Sequence, residues 1–224
     1  MKNIDFNNPI IVHGLEERAK AITPGLKHIC EKNVHYYFLY SQEALDDLLY
    51  LPKEDLQYSN CYFDTIGSRE FYILRSVPAD HMIFMPKPHP RYPLPVGIEF
   101  RNIQAPDYVV FMNLYLRKGK IKTSPHNLFQ ACCIKDMEIS TARLETCIVK
   151  GGILGMAAFP TFSIGKHEFD IKKETIYSFK DCLLESCICE SAFITKCSVD
   201  QNVDRHEQLL SDGTSIITGK GTII

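Results

Sequence analysis

The stretch Met85-Pro86-Lys87-Pro88-His89-Pro90-Arg91-Tyr92-Pro93-Leu94-Pro95 constrains this chain more than any other. Each proline fixes φ at about −65° and lacks a backbone donor, and each pushes the residue before it towards extended geometry. Helix is therefore excluded there, and so is a central strand, which needs the ladder donors that prolines lack. What remains is an extended run about 30 Å long, at roughly 3.1 Å per residue. Such a run serves as a rigid connector, as a wall over a pocket, or as a recognition surface built from His89, Arg91 and Tyr92. The last reading rests on the small entropy that a preformed segment loses when a partner docks. If the single globular domain expected over 1–224 has a weak division, it falls at 86–95.

Charge and sulfur narrow the function classes. A net charge of −2 and a pI near 6.4 argue against a general nucleic-acid binder, which needs a basic face. The one basic run, Arg117-Lys118-Gly119-Lys120-Ile121-Lys122, suits a solvated hairpin turn at Gly119. No apolar stretch approaches the roughly 20 residues that span a bilayer, and the polar start Met1–Pro9 does not resemble a signal peptide. The cysteines number nine, and an odd count without export features favours reduced thiols and a cytoplasmic location.

Along the chain, Leu15, Ala19 and Ile22 have helical spacing, and Leu26–Cys30 suits a further helical turn. Val34–Tyr40 reads as a strand. Ser41 caps a helix through Tyr50 with Leu45, Leu48 and Leu49 on its buried stripe. Cys61–Ile66 and Glu70–Val77 read as strands joined at Gly67-Ser68. His81–Phe84, Val96–Ile103 and Tyr108–Leu116 follow as strands. Ser124-Pro125 then announces a helix with Leu128, Phe129, Cys132, Cys133 and Met137 on one face and His126 in its first turn. Thr141–Val149 admits helix or strand; Thr175–Leu184 and Cys187–Val199 read as strands, and Asp212-Gly213 as a hairpin turn. No repeat period stands out. The sum predicts an α+β fold, a mostly antiparallel curved sheet or partial β-barrel with three to five helices packed on one side.

Cys182, Cys187, Cys189 and Cys197 lack the paired spacing of structural zinc sites, so the expectation is buried thiols, no metal and no cofactor. No G-x-S-x-G, G-x-G-x-x-G or P-loop motif occurs. Gly151-Gly152 opens a run of small residues to Ala158, followed by strands and a closing Asp-Gly turn. That layout over 150–224 resembles the helix wrapped by a sheet of hotdog thioesterases and dehydratases. The resemblance implies an acyl-thioester hydrolase or dehydratase, with the Gly151 and Gly152 amides polarising the thioester carbonyl. Lys150 stands where that family often carries histidine, and no motif supplies a catalytic carboxylate. The residues taken alone point instead to a binding or interaction protein without catalytic chemistry, its partner a protein, a small molecule or a second copy of itself.

Overall fold

Short strands, of which Val110–Met112, Tyr115–Arg117, Leu128–Gln130 and Arg143–Glu145 are followed at once by a residue of positive φ, make this chain turn a corner every few residues. In the computed structural model, residues 8–22, 25–64, 71–89, 96–124, 126–140 and 143–154 are described, with short pieces between 179 and 217. The order is α1 (Pro9–Ile22), β1 (Lys27–Glu31), β2 (Val34–Leu39), α2 (Gln42–Leu49), α3 (Lys53–Leu56), β3 (Ser59–Phe63), β4 (Tyr72–Leu74), β5 (Ile83–Pro86) and β6 (Gly97–Phe100). Next come β7 (Ile103–Gln104), β8 (Val110–Met112), β9 (Tyr115–Arg117), β10 (Lys120–Lys122), β11 (Leu128–Gln130), β12 (Cys133–Ile139), β13 (Arg143–Glu145) and β14 (Ile148–Leu154). The last are β15 (Phe179–Lys180), β16 (Leu183–Glu185), β17 (Ile188–Cys189), β18 (Ala192–Thr195), β19 (Ser198–Val199), β20 (Glu207–Leu209) and β21 (Thr214–Ile217).

One sheet runs β1-β2-β3-β5-β8-β11-β13-β15-β18-β21-β20, and the main path of the other is β19-β16-β14-β12-β9-β6-β4. From β3 to β19 the chain passes back and forth between the two sheets, so it winds as a β-solenoid. A third face is made by β7, β10, the far halves of β12 and β14, and β17. Among the described strands, pairing is antiparallel only for β1 with β2, β18 with β21, and β20 with β21.

This corrects the expected antiparallel sheet and its flanking helices. The expected hairpin partners around Gly67-Ser68 are β3 and β4, which lie in different sheets; the turn itself falls outside the described residues. The helix expected from Ser124 is instead β11 and β12. Leu26–Cys30 supplies β1 rather than a helical turn, and Lys32 and Asn33, both at positive φ (54° and 64°), make the two-residue turn into β2. Thr141–Val149 resolves into the strands β13 and β14. The described helices number three, all before residue 57. The expectations for α2 hold: Ser41 caps it by accepting from the Ala44 amide at 3.1 Å, and Leu45 and Leu48 are buried.

The chain has a period after all, and it is five. Phe129, Ile134, Ile139, Leu144, Val149 and Leu154 stand at every fifth position and are all buried. Three such steps close a coil, so Leu128 lies beside Arg143, fifteen residues on. Like residues therefore stack on like: Phe84, Phe111 and Phe129 are in register, with ring centroids 5.3 and 5.0 Å apart. Burying each such ring contributes about 1.5–3 kcal/mol.

Corners repeat as well. Asn113, Ala131 and Thr146 occupy the same corner at φ 56°, 51° and 55°. The Asn113 and Ala131 amides donate to the Gln130 and Glu145 carbonyls of the next coil. One residue on, Cys132, Cys147 and Cys182 are buried, and their thiols donate to the Phe111, Phe129 and Leu144 carbonyls at 3.3, 3.3 and 3.5 Å. Cysteine serves here as a small apolar residue that also satisfies a corner carbonyl.

Candidate functional site

Alternate side chains of the eleven-stranded sheet point inward and outward. The outward set begins under α1, whose Val12, Leu15 and Ala19 pack on Tyr36, Phe38, Tyr62 and Met85. Glu16 pins this helix. Its carboxylate, almost fully buried, accepts from the Tyr40 hydroxyl at 2.6 Å and from Lys87 Nζ at 3.2 Å. Lys87 also donates to Asp64 at 2.6 Å. Burial alone would raise the Glu16 pKa, but the Tyr40 hydroxyl, Lys87 and Lys20 outweigh it and hold the carboxyl below its ordinary 4.5.

Past α1, one corner of the solenoid carries a column of rings. Asn60, Ile83, Val110 and Leu128 are in register, and two residues before each stands Tyr58, His81, Tyr108 or His126. Tyr58, His81 and Tyr108 share φ of 59°, 54° and 60°, so one corner geometry aims all three the same way. Their rings stack, with centroids 4.6 Å apart from Tyr58 to His81, 4.7 Å to Tyr108 and 4.9 Å to His126. Tyr58 is 52% exposed and Tyr108 48%. His81 and Tyr108 have a ring on each face, and Tyr58 and His126 on one, so it is mainly edges and polar tips that meet the surroundings. Ile83, Val110 and Leu128 make a half-buried aliphatic row beside it.

Buried polar atoms mark the same sector. Four buried polar atoms have no hydrogen-bond partner among the described residues: Tyr36 Oη under α1, and Asn60 Oδ1, Asp80 Oδ1 and His81 Nδ1 here. Asp80 and His81 approach to 3.7 Å, too long for a hydrogen bond. Native proteins leave few such groups, so the gathering of the last three beside the ring column sets this sector apart.

The residues singled out from the sequence lie elsewhere. Pro86 ends β5, a strand inside the sheet, contrary to the expectation that the proline run avoids central strands; its neighbour Lys87 still donates its amide to the Phe63 carbonyl at 2.7 Å. His89 is half-buried just beyond, while Arg91 and Tyr92 fall outside the described residues. Gly151 and Gly152 lie within β14 at φ 67° and 86°, a solenoid corner and not a helix N-terminus. A Cβ on Gly152 would run into the Met137 backbone, and one on Gly151 into the Asp136 carboxylate. His126, expected in a helix's first turn, is the fourth ring of the column. Arg117 and Lys118 turn a corner between parallel coils and pair with Glu99, Arg117 Nε at 2.7 Å. Of the C-terminal cysteines, Cys182 is a buried corner thiol, while Cys187 and Cys197 fall outside the described residues. The column went unnoticed in the sequence because its members are spaced by 23, 27 and 18 residues; an aromatic or imidazole two places before each apolar triplet was the available signal.

No family model, curated protein or solved structure matches this chain.

Proposed function

We propose that this is a binding protein without catalytic chemistry, and that a protein partner docks along the ring column and its aliphatic row. The observation that supports this reading is the half-exposed stack Tyr58–His81–Tyr108–His126. Ring edges carry partial positive charge, and the tyrosine hydroxyls and imidazole nitrogens add donors, so the surface suits a segment rich in carbonyl or carboxylate acceptors. Aromatic anchors of this kind dominate binding energy at interfaces, while the contacts around them mainly exclude water.

Wild-type protein and a Tyr108→Ala variant, each used as bait for quantitative mass spectrometry and then titrated with the recovered partner, test the reading. Tyr108→Ala should weaken binding at least about tenfold, or 1.4 kcal/mol. Tyr50→Ala, at an 88% exposed tyrosine away from the column, should change nothing. Equal binding by the Tyr108→Ala and wild-type proteins would sink it.

A further inference from the structure

The hairpin of β1 and β2 has one face against α1, through Ile29 and Tyr36. Its opposite face carries His28, Cys30, His35 and Tyr37. On that face His28 Nε2 and His35 Nδ1 approach to 3.0 Å. The two ring planes lie within 16° with centroids 5.1 Å apart, so the rings meet edge to edge and both nitrogens aim at the space between them. Tyr37 braces the arrangement, stacking on His28 at 4.4 Å while its hydroxyl donates to the Asp55 carbonyl at 2.7 Å. Cys30, an exposed free thiol, stands directly across from His35, and opposed residues of an antiparallel pair have Cβ atoms about 4.5–5.5 Å apart. The Asp55 carboxylate lies close enough to act on His28.

We propose that this face holds a divalent transition ion of the zinc class through His28 Nε2, His35 Nδ1 and the Cys30 thiolate. Two imidazole nitrogens and one sulfur are the donors such ions prefer, and Zn–N bonds of about 2.0–2.1 Å in a tetrahedral site require nitrogens roughly 3.4 Å apart. A small hinge of the rings from 3.0 Å and a rotation of Cys30 about χ1 complete the set. On ligation the thiol releases its proton. The imidazole that donated at the contact moves its proton to its other nitrogen, so both contact nitrogens present lone pairs. Three protein ligands leave a fourth position for water. Among the described residues, only His13, Glu16 and Glu17 have ligand atoms already gathered within 4.8 Å, and there Lys87 and Lys20 neutralise the carboxylates; at His28 and His35 the two nitrogens are gathered and the Cys30 sulfur has to swing in.

Titration of the full chain with Co²⁺ tests the site, with Zn²⁺ as competitor. The expected result is one equivalent of Co²⁺ with a thiolate-to-cobalt charge-transfer band, displaced by Zn²⁺. Cys30→Ser should lose that band, and the double variant His28→Asn/His35→Asn should lose uptake while keeping the metal-free circular dichroism spectrum. Uptake undiminished in the double variant, or none by the wild type, overturns the proposal. A second measurement needs no variant: Zn²⁺ should slow alkylation of Cys30, followed by peptide mass spectrometry, at least about tenfold. An unchanged rate overturns it equally.

Discussion

At the scale of the residue, this fold is decided at its corners. Gly152, at φ 86° with the Met137 backbone where a Cβ would sit, tolerates no side chain. Gly152→Ala should destabilise by about 2–4 kcal/mol in urea unfolding, the combined cost of left-handed strain and overpacking. Ala131 makes its corner at φ 51° without glycine's freedom, so Ala131→Gly should be neutral or stabilising, by less than about 1 kcal/mol, as relief of strain offsets the added disorder of the unfolded chain. The two substitutions move in opposite directions because only one of the corners is already glycine. The thiols sort in the same way. Desolvation pushes Cys61 up to about 12, and the hydrogen bond with Cys132 raises Cys147, so native-state alkylation should label Cys30 first. Cys61, Cys132 and Cys147 should react only on unfolding, read by the same peptide analysis. Glycines can be found in a sequence, and Asn113 is of a type that favours left-handed backbone; that Ala131 and Thr146 would adopt it could not be read, because nothing in those side chains announces it.

At the scale of the element, helix and strand were largely legible as far as Leu116, Leu26–Cys30 excepted, while the parallel pairing of the strands and the segment after Ser124 were not. Ser41 as a cap, the Leu45–Leu48 stripe and the aromatic strand Val34–Leu39 are local signals that survive in the fold. The segment after Ser124 shows why the rest misled. Phe129, Cys132, Ile134, Met137 and Ile139 are all buried, at spacings of three and two that imitate a helical stripe over short distances. Ser124 does accept from the His126 amide at 3.2 Å, but inside a turn that leads to a strand. The ring column lay beyond reach for another reason, since its members meet only once the parallel register is known. For α1 the controlling contact is Glu16. Its folded pKa lies below 4.5, so its contribution is complete above that value and is lost as pH falls through the folded value. The urea midpoint should therefore drop between pH 6 and pH 3, and Glu16→Gln should remove that part of the slope while lowering stability at pH 6 by about 1–3 kcal/mol.

At the scale of the whole molecule, stability is close to a sum over coils and the contacts between neighbours. Deleting residues 128–142 removes one fifteen-residue coil and sets Arg143 beside Val110, where Leu128 now lies. Cys147 would then face the Phe111 carbonyl that Cys132 serves in the intact chain. The shortened protein should keep a strand-type circular dichroism spectrum and a cooperative melt. A fourteen-residue deletion, which turns every later side chain to the wrong face, should aggregate. The same additivity carries a hazard, because a stack of identical rungs offers each end as a template for another molecule. Here the long sheet opens on β1 and closes on β20, both laid antiparallel to their neighbours. A second copy arriving head-to-tail finds reversed polarity at β1, whereas β20, after two successive reversals, runs with the coils again, so it is the β1 edge that stops an architecture that readily grows into filaments.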